Sequence, residues 1–313
     1  MNPATAAPPT RVLSGIGLTV LAVACFATLD SGVKHLSLVL PMLVVVWFRY
    51  GVQALIMGVW LLSRGGWRRF RVQHPRFQLL RGVLLLTTSV LAFYALRVMP
   101  LAEFTAVVML APVFVTLLAP LVLREHVSAL RWALVVVAFV GALLVIRPGS
   151  GLFGWAALLP LTVAMASALF QLVTSRMSGL ESPMTTHFYT GAIGAALLGV
   201  ALLASPVDAF ESLGAASLQH WAVLTMVALM GTFGHLAFIY GLGRAPTAVL
   251  MPFTYAQIAF ATLWGWIIFS QTPDAWAFAG MAVIAASGAT SVWLNVRARS
   301  QPQAPAAADA IAD

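Results

Sequence analysis

Apolar runs bounded by clusters of arginine, proline or glycine recur along the whole chain. A helix needs roughly 20 apolar residues to cross the hydrocarbon core of a bilayer. Read for such runs, the sequence predicts about ten spans. The first five are Leu13–Leu36, Pro41–Leu62, Leu79–Val98, Leu101–Leu123 and Ala129–Ile146. The second five are Phe153–Arg176, Met184–Ser205, Trp221–Gly243, Ala248–Phe269 and Ala275–Asn295. Residues 300–313, rich in Ala, Pro and Gln, read as a disordered tail.

Composition agrees with a chain dissolved in lipid. Of 313 residues, 61% are hydrophobic and 8% are charged, where a soluble domain carries about 25%. The net charge of +8 does not point to nucleic acid, because the basic residues sit in short loops between apolar runs and Lys34 is the sole lysine. Membrane proteins turn basic because arginines decorate their cytoplasmic loops. A single cysteine, Cys25, excludes an internal disulfide and a cysteine-rich metal site; no metal or cofactor is expected. Arg11 followed by an apolar run to Cys25 resembles a signal peptide, of the lipoprotein kind if Cys25 is its end. The run continues past Cys25 through Phe26 and Leu29, so a first transmembrane helix is the better reading.

Alternating the spans from a cytoplasmic N-terminus collects Arg11, Arg64, Arg68, Arg69, Arg71, Arg76 and Arg81 on one side, with Arg124, Arg131, Arg176, Arg244, Arg297 and Arg299. The other side receives Lys34, Arg97 and Arg147, and Arg49 falls within the membrane. By the positive-inside rule both termini are cytoplasmic. The acidic loop with Asp208 and Glu211 then faces out.

The two halves repeat. Tyr94-Ala95-Leu96, Pro100 and Ala102 recur as Tyr240-Gly241-Leu242, Pro246 and Ala248 at one constant offset, and the same register lays Glu125 over Gln271. A weaker match relates Gly15 and Pro41 to Gly154 and Pro183. With five spans per unit, an odd number, the second unit enters the membrane upside down. The expectation is an all-α membrane protein of about ten transmembrane helices in two inverted five-helix repeats, residues 12–147 and 153–296. In transporters of that architecture the substrate lies near the midplane between the halves.

Val46-Trp47-Phe48-Arg49-Tyr50, Tyr94-Ala95-Leu96-Arg97 and Pro100-Leu101-Ala102-Glu103 carry a resemblance to a known family. Ala111-Pro112 to Leu123-Arg124-Glu125, Arg131-Trp132 and Gly141 to Arg147-Pro148-Gly149 continue it. Over residues 12–296 the chain resembles the EamA-type branch of the drug/metabolite transporter superfamily. That resemblance implies a bacterial inner-membrane carrier of amino acids, vitamins, nucleosides or related metabolites, importer or exporter, with no ATP-hydrolysing subunit. Gln271 departs from the glutamate often found there in the second repeat.

An ionisable group inside hydrocarbon is expensive, so each one is a candidate site residue. Asp30 and Arg49 lie about 9 and 12 Å below the same membrane face at 1.5 Å per residue. Either they pair or share a polar cavity, or Asp30 bonds Lys34 one turn away and Arg49 snorkels outward. Arginine suits a cavity because its planar fork holds a carboxylate bidentately. Glu103 opens the fourth span, where the helix dipole and Arg97 could neutralise it, or it faces the cavity. Asp30, Arg49, Tyr94 and Glu103 are thus candidates for an outer half of a cavity, and Gln171, His187, His235, Tyr240 and Gln257 for its inner half. Tyr255 stands beside Thr254 and Gln257 as a further donor. Glu125, among Arg124, His126 and Arg131, reads as a loop salt-bridge residue. Small residues Gly141, Gly280, Ala285, Ala286 and Gly288 mark a packing or homodimer surface away from the pore.

The expected function is a secondary carrier of a partly anionic small molecule, an amino acid derivative or a riboflavin-like vitamin, by alternating access. Its partners are that substrate and the lipid bilayer, and its titratable groups are compatible with proton coupling. The alternatives are an intramembrane enzyme or a channel or scaffold. No glycine-flanked nucleophilic serine or His-Glu-x-x-His occurs, so no catalytic residue is expected.

Overall fold

The computed structural model describes residues 9–123, 129–147, 154–177, 180–242, 244, 250 and 253–300. Glu125 with Arg124 and His126, Pro246, Ala248 and residues 301–313 of the expected tail lie outside the described residues.

The described chain is helical. The first repeat contains α1 (Pro9–Leu36), α2 (Met42–Gly65), α3 (Pro75–Val98), α4 (Leu101–Val108), α5 (Ala111–Leu123) and α6 (Ala129–Ile146). The second contains α7 (Leu158–Met177), α8 (Pro183–Leu203), α9 (Ala209–Gly214), α10 (Leu218–Leu242), α11 (Ala256–Phe269) and α12 (Ala275–Ser300). Among the described residues, 6 helices are long and apolar enough to cross a membrane, and shorter apolar helices complete the expected set. Their outward faces are as apolar as their inward ones: Leu55, Val59, Val136, Leu143, Val200 and Ile267 all stand exposed. A helix apolar all round is at home in hydrocarbon, not in water.

The fourth span, expected as one helix, is two. Pro112 has no N–H, and its ring would collide with the Val108 carbonyl one turn back. The ladder therefore tightens before it: Leu110 N–H bonds the Val107 carbonyl at 3.0 Å, and Val113 N–H restarts on the Leu110 carbonyl at 2.9 Å. The corresponding ninth span also turns, at Tyr255, before α11 begins.

Packing follows a two-fold pattern. α1 packs on α10 as α7 packs on α3, α1 on α11 as α7 on α4 and α5, and α2 on α10 as α8 on α3. The remaining large interfaces pair equivalent spans: α2 with α8, α4 with α11, and α6 with α12. Along α2 and α8 the chains run antiparallel, with Trp47 meeting Gly199, Tyr50 meeting Gly194 and Ala54 meeting Gly191. Along α1 and α10, Gly32 meets Val227 while Thr19 meets Gly241. Antiparallel packing of α2 on its equivalent α8, and of α1 on α10, is what inverting the second repeat produces. The end of the bundle where α1 begins and α12 finishes is its basal end, and the opposite one its apical end.

At the α2–α8 crossing a Cβ on Gly191 would stand 2.9 Å from the Ala54 backbone nitrogen, so only glycine lets the helices come this close. The α6–α12 crossing is similar, with a Cβ on Gly280 placed 2.6 Å from the Gly141 carbonyl. Gly141 and Gly280 thus pack against each other within one chain.

Candidate functional site

A cavity of about 190 Å³ lies between the repeats. α1 contributes Asp30, α2 Arg49, α3 Thr88 and Ser89, α7 Ser167, α10 His235 and α11 Gln257, on an otherwise apolar wall that includes Leu29, Val46, Phe104 and Val108. Neither α6 nor α12 reaches it. Val108 ends α4 at the break before Pro112, and Gln257 follows the turn at Tyr255. The interruptions of equivalent spans thus flank the cavity, the arrangement expected of a midplane site in inverted-repeat transporters.

Arg49 is 6% exposed, although it sits in an apolar helix. Its Nη2 donates to Ser89 Oγ at 2.5 Å, and its guanidinium lies 4.2 Å from the centre of the Tyr50 ring. Tyr50 is itself fixed by a 2.8 Å hydrogen bond with the same Ser89 hydroxyl. Asp30 accepts from Gln257 Nε2 at 3.3 Å, which joins the first repeat to the second. Asp30 and Arg49 face one cavity, and among the described residues no salt bridge joins them directly.

His235 forms the basal wall, and His187, outside the lining, lies against it. Their rings stack at 5.6 Å with 28° between planes, and Phe26 meets His235 edge-on at 4.8 Å. His235 Nδ1 is 2.7 Å from the Gly231 carbonyl. A carbonyl only accepts, so Nδ1 carries the proton, and in the neutral ring Nε2 is left with a lone pair. Gln53 Nε2 donates to the His187 carbonyl at 3.0 Å and faces His187 Nδ1 at 3.3 Å.

Other candidates lie elsewhere. Tyr94, Gln171 and Tyr240 are exposed and do not line the cavity. Glu103 is buried at the apical end, in the first turn of α4, and its Oε2 has no hydrogen-bond partner among the described residues. The cations near it are Arg147, at the end of α6, and Lys34 of α1, while Arg97 is exposed. Lys34 does not bond Asp30: its Nζ donates to the carbonyls of Leu96 at 2.8 Å and Met99 at 2.6 Å, tying α1 to the last turn of α3. In the apical loops Arg147 pairs with Asp274 at 2.7 Å. The Ala277 N–H and this guanidinium hold the Asp274 carboxyl below its usual range.

Tyr255 is buried between α11 and α12, its ring against Gly288, beside a separate apolar hollow that includes Leu263, Trp266 and Phe278. Its hydroxyl has no partner among the described residues. Tyr255→Phe removes a desolvated hydroxyl that makes no bond there. The expected result is an unchanged or raised melting temperature with unchanged transport, measured in detergent and in liposomes. A large loss of transport would return Tyr255 to the substrate path.

Arg81, assigned to the cytoplasmic side by its place at the start of the third span, is 4% exposed and packed between the repeats. Its Nε donates to Thr174 Oγ1 at 2.8 Å, its Nη1 donates to the Thr186 carbonyl at 3.2 Å and to Thr190 Oγ1, and its guanidinium lies 4.5 Å from the Phe170 ring. The sequence carries one signal for this burial, at Pro75. Proline is favoured at the first position of a helix, and a helix that begins there already carries Arg81 two turns inside it.

The chain matches the EamA-like transporter family twice, over residues 13–147 and 154–293. It is 29% identical over 286 residues to a riboflavin transporter of Rhizobium johnstonii, covering 89% of this chain and 91% of that one. A pseudopaline exporter of Pseudomonas aeruginosa is 27% identical over 272 residues, covering 87% and 93%. An S-adenosylmethionine uptake transporter of Rickettsia felis is 24% identical over 280 residues, covering 87% and 90%. A solved crystal structure superposes with a TM-score of 0.64 at 16% identity, over 93% of this chain and 99% of that one, which shows the shared fold. With two matched units, apolar spanning helices and a polar cavity between inverted halves, this chain belongs to the EamA-like transporter family and is a small-molecule membrane transporter.

Proposed function

We propose that this transporter is a secondary carrier in the bacterial inner membrane, moving a partly anionic organic metabolite by alternating access of its two repeats. The observation that carries the reading is the cavity between the repeats, with Arg49 and Asp30 on one side and His235 and Gln257 on the other. Arg49 engages a carboxylate or other oxyanion of the substrate; Gln257 and the apolar wall take its uncharged part. Ligand sites usually occupy about 300–1,000 Å³, so a cavity of about 190 Å³ is contracted and must widen to admit a metabolite. Relatives named for riboflavin, pseudopaline and S-adenosylmethionine are compatible with such a substrate. Both termini are cytoplasmic, as the arginine distribution requires, and protons on Asp30 or the histidines couple transport.

The purified protein in liposomes, loaded with unlabelled riboflavin, S-adenosylmethionine or an amino acid, is expected to accumulate the labelled form of one of them transiently against its gradient. Such counterflow needs a carrier; simple equilibration with every compound would indicate a channel. An impermeant maleimide applied to whole cells should spare single cysteines placed at either terminus, and labelling of one terminus alone would remove the inverted arrangement.

A further inference from the structure

The cavity-lining face of α3 carries Leu85, Ser89, Ala92 and Leu96. One turn before Leu85 on that face stands Arg81. The lining face of α7 carries Val163 and Ser167, and continues basally to Phe170 and Thr174, which hold the Arg81 guanidinium. Arg81 is therefore the floor of the cavity's own stripe, at the level of the basal wall. Ser89, where Arg49 is anchored, lies eight residues along α3, about 12 Å higher.

The partners of Arg81 are uncharged. Its contacts are two threonine hydroxyls, one carbonyl and a phenyl ring, and no carboxylate pairs with it among the described residues. A cation buried at membrane depth without a counter-charge is expensive, and its hydroxyl partners can yield to an incoming anion. All of these partners lie on α7 and α8, in the second repeat, so the same contacts close the basal end against the cavity.

We infer that Arg81 is a second oxyanion-binding group of the translocation path, which takes the carboxylate or phosphate of the substrate as the basal end opens. The inference rests on the carrier reading above and deepens it: the cargo bears an oxyanion held by Arg49 when deep in the cavity and by Arg81 when leaving or entering basally. Threonine hydroxyls occupy the guanidinium fork when no cargo does, which keeps the charge solvated by protein while the gate is shut.

Glutarate and phosphate serve as probes, with the purified full chain at constant ionic strength. Melting temperature is expected to rise saturably with one or both, the stronger effect naming carboxylate or phosphate. Arg81→Gln should raise the apparent Kd about tenfold or more, the loss of a charge-assisted hydrogen-bond pair, and Arg81→Lys should lie between. Tyr189→Phe, which removes a different tie between the repeats at the basal end, from the Tyr189 hydroxyl to the Phe70 carbonyl at 2.8 Å, should leave the anion effect unchanged. Should Arg81→Gln not fold, phenylglyoxal modification of Arg81 in the wild-type protein, mapped by mass spectrometry, decides: glutarate or phosphate should slow it. Neither anion stabilising the protein, equal stabilisation of wild type and Arg81→Gln, or modification indifferent to anion would each overturn the inference. Counterflow alongside such a result would leave the carrier reading standing and remove only Arg81.

Discussion

Replacing Arg49 with alanine is expected to lower the initial rate of uptake about a hundredfold or more while the protein still reaches the membrane. Charge-assisted hydrogen bonds contribute about 1.5–3 kcal/mol each, and about 2.7 kcal/mol is a factor of a hundred in rate. A bidentate grip on an oxyanion supplies two of them. The same substitution empties the guanidinium from Ser89 and the Tyr50 ring, and it leaves the Asp30 carboxylate in the cavity without a facing cation. Asp30 and Arg49 are not bonded, yet an acid left in a low-dielectric cavity without the cation that faced it is costly. Asp30→Asn combined with Arg49→Ala should therefore recover stability without recovering transport. Initial rates in liposomes, paired with melting temperatures, separate the two effects. Wild-type rates in Arg49→Ala would take Arg49 out of the site.

Gly280→Val should lower thermal stability by about 3 kcal/mol or more, the upper range for overpacking a close contact. A Cβ there would stand 2.6 Å from the Gly141 carbonyl and 2.7 Å from the Val145 side chain, so one obstacle is backbone and cannot rotate away. α6 and α12 would have to separate along their length. At roughly 2–4 °C per kcal/mol, the melting temperature in detergent should fall by about 6 °C or more. Gly17 is the control, since a Cβ added there meets nothing within 4 Å, and Gly17→Ala should be neutral or slightly stabilising by helix propensity. A melting temperature unchanged in Gly280→Val would mean that α6 and α12 do not pack as described.

The spans, their number and the two-fold internal repeat were legible in the sequence because they depend on local quantities. An apolar run long enough for a bilayer is a property of consecutive residues, and an odd span count per repeat inverts the second unit whatever its packing. Arg49 and Asp30 were legible for a related reason: a charge inside an apolar run must be accounted for wherever the run goes. Gln257 and His235, which line the cavity, followed from the same logic with less force, whereas His187 lies outside the lining.

What the tertiary structure alone decided is which polar group faces which. Tyr94 and Tyr240 mark the repeat in the sequence, yet both face outward, because the helical face of a residue in an all-apolar span is set by its neighbours and not by a polar stripe. Lys34 is one turn from Asp30 in sequence but bonds the end of α3 instead, since the unpaired carbonyls of Leu96 and Met99 lie within its reach. Arg81 reads as a cytoplasmic-side arginine because it stands in the first turn of the run from Leu79, and only the arrival of α7 and α8 from the other repeat buries it. The reason is physical: in lipid the sequence pattern distinguishes membrane from water, whereas the inside of the bundle and the lipid around it are equally apolar, so only contacts between distant segments tell them apart.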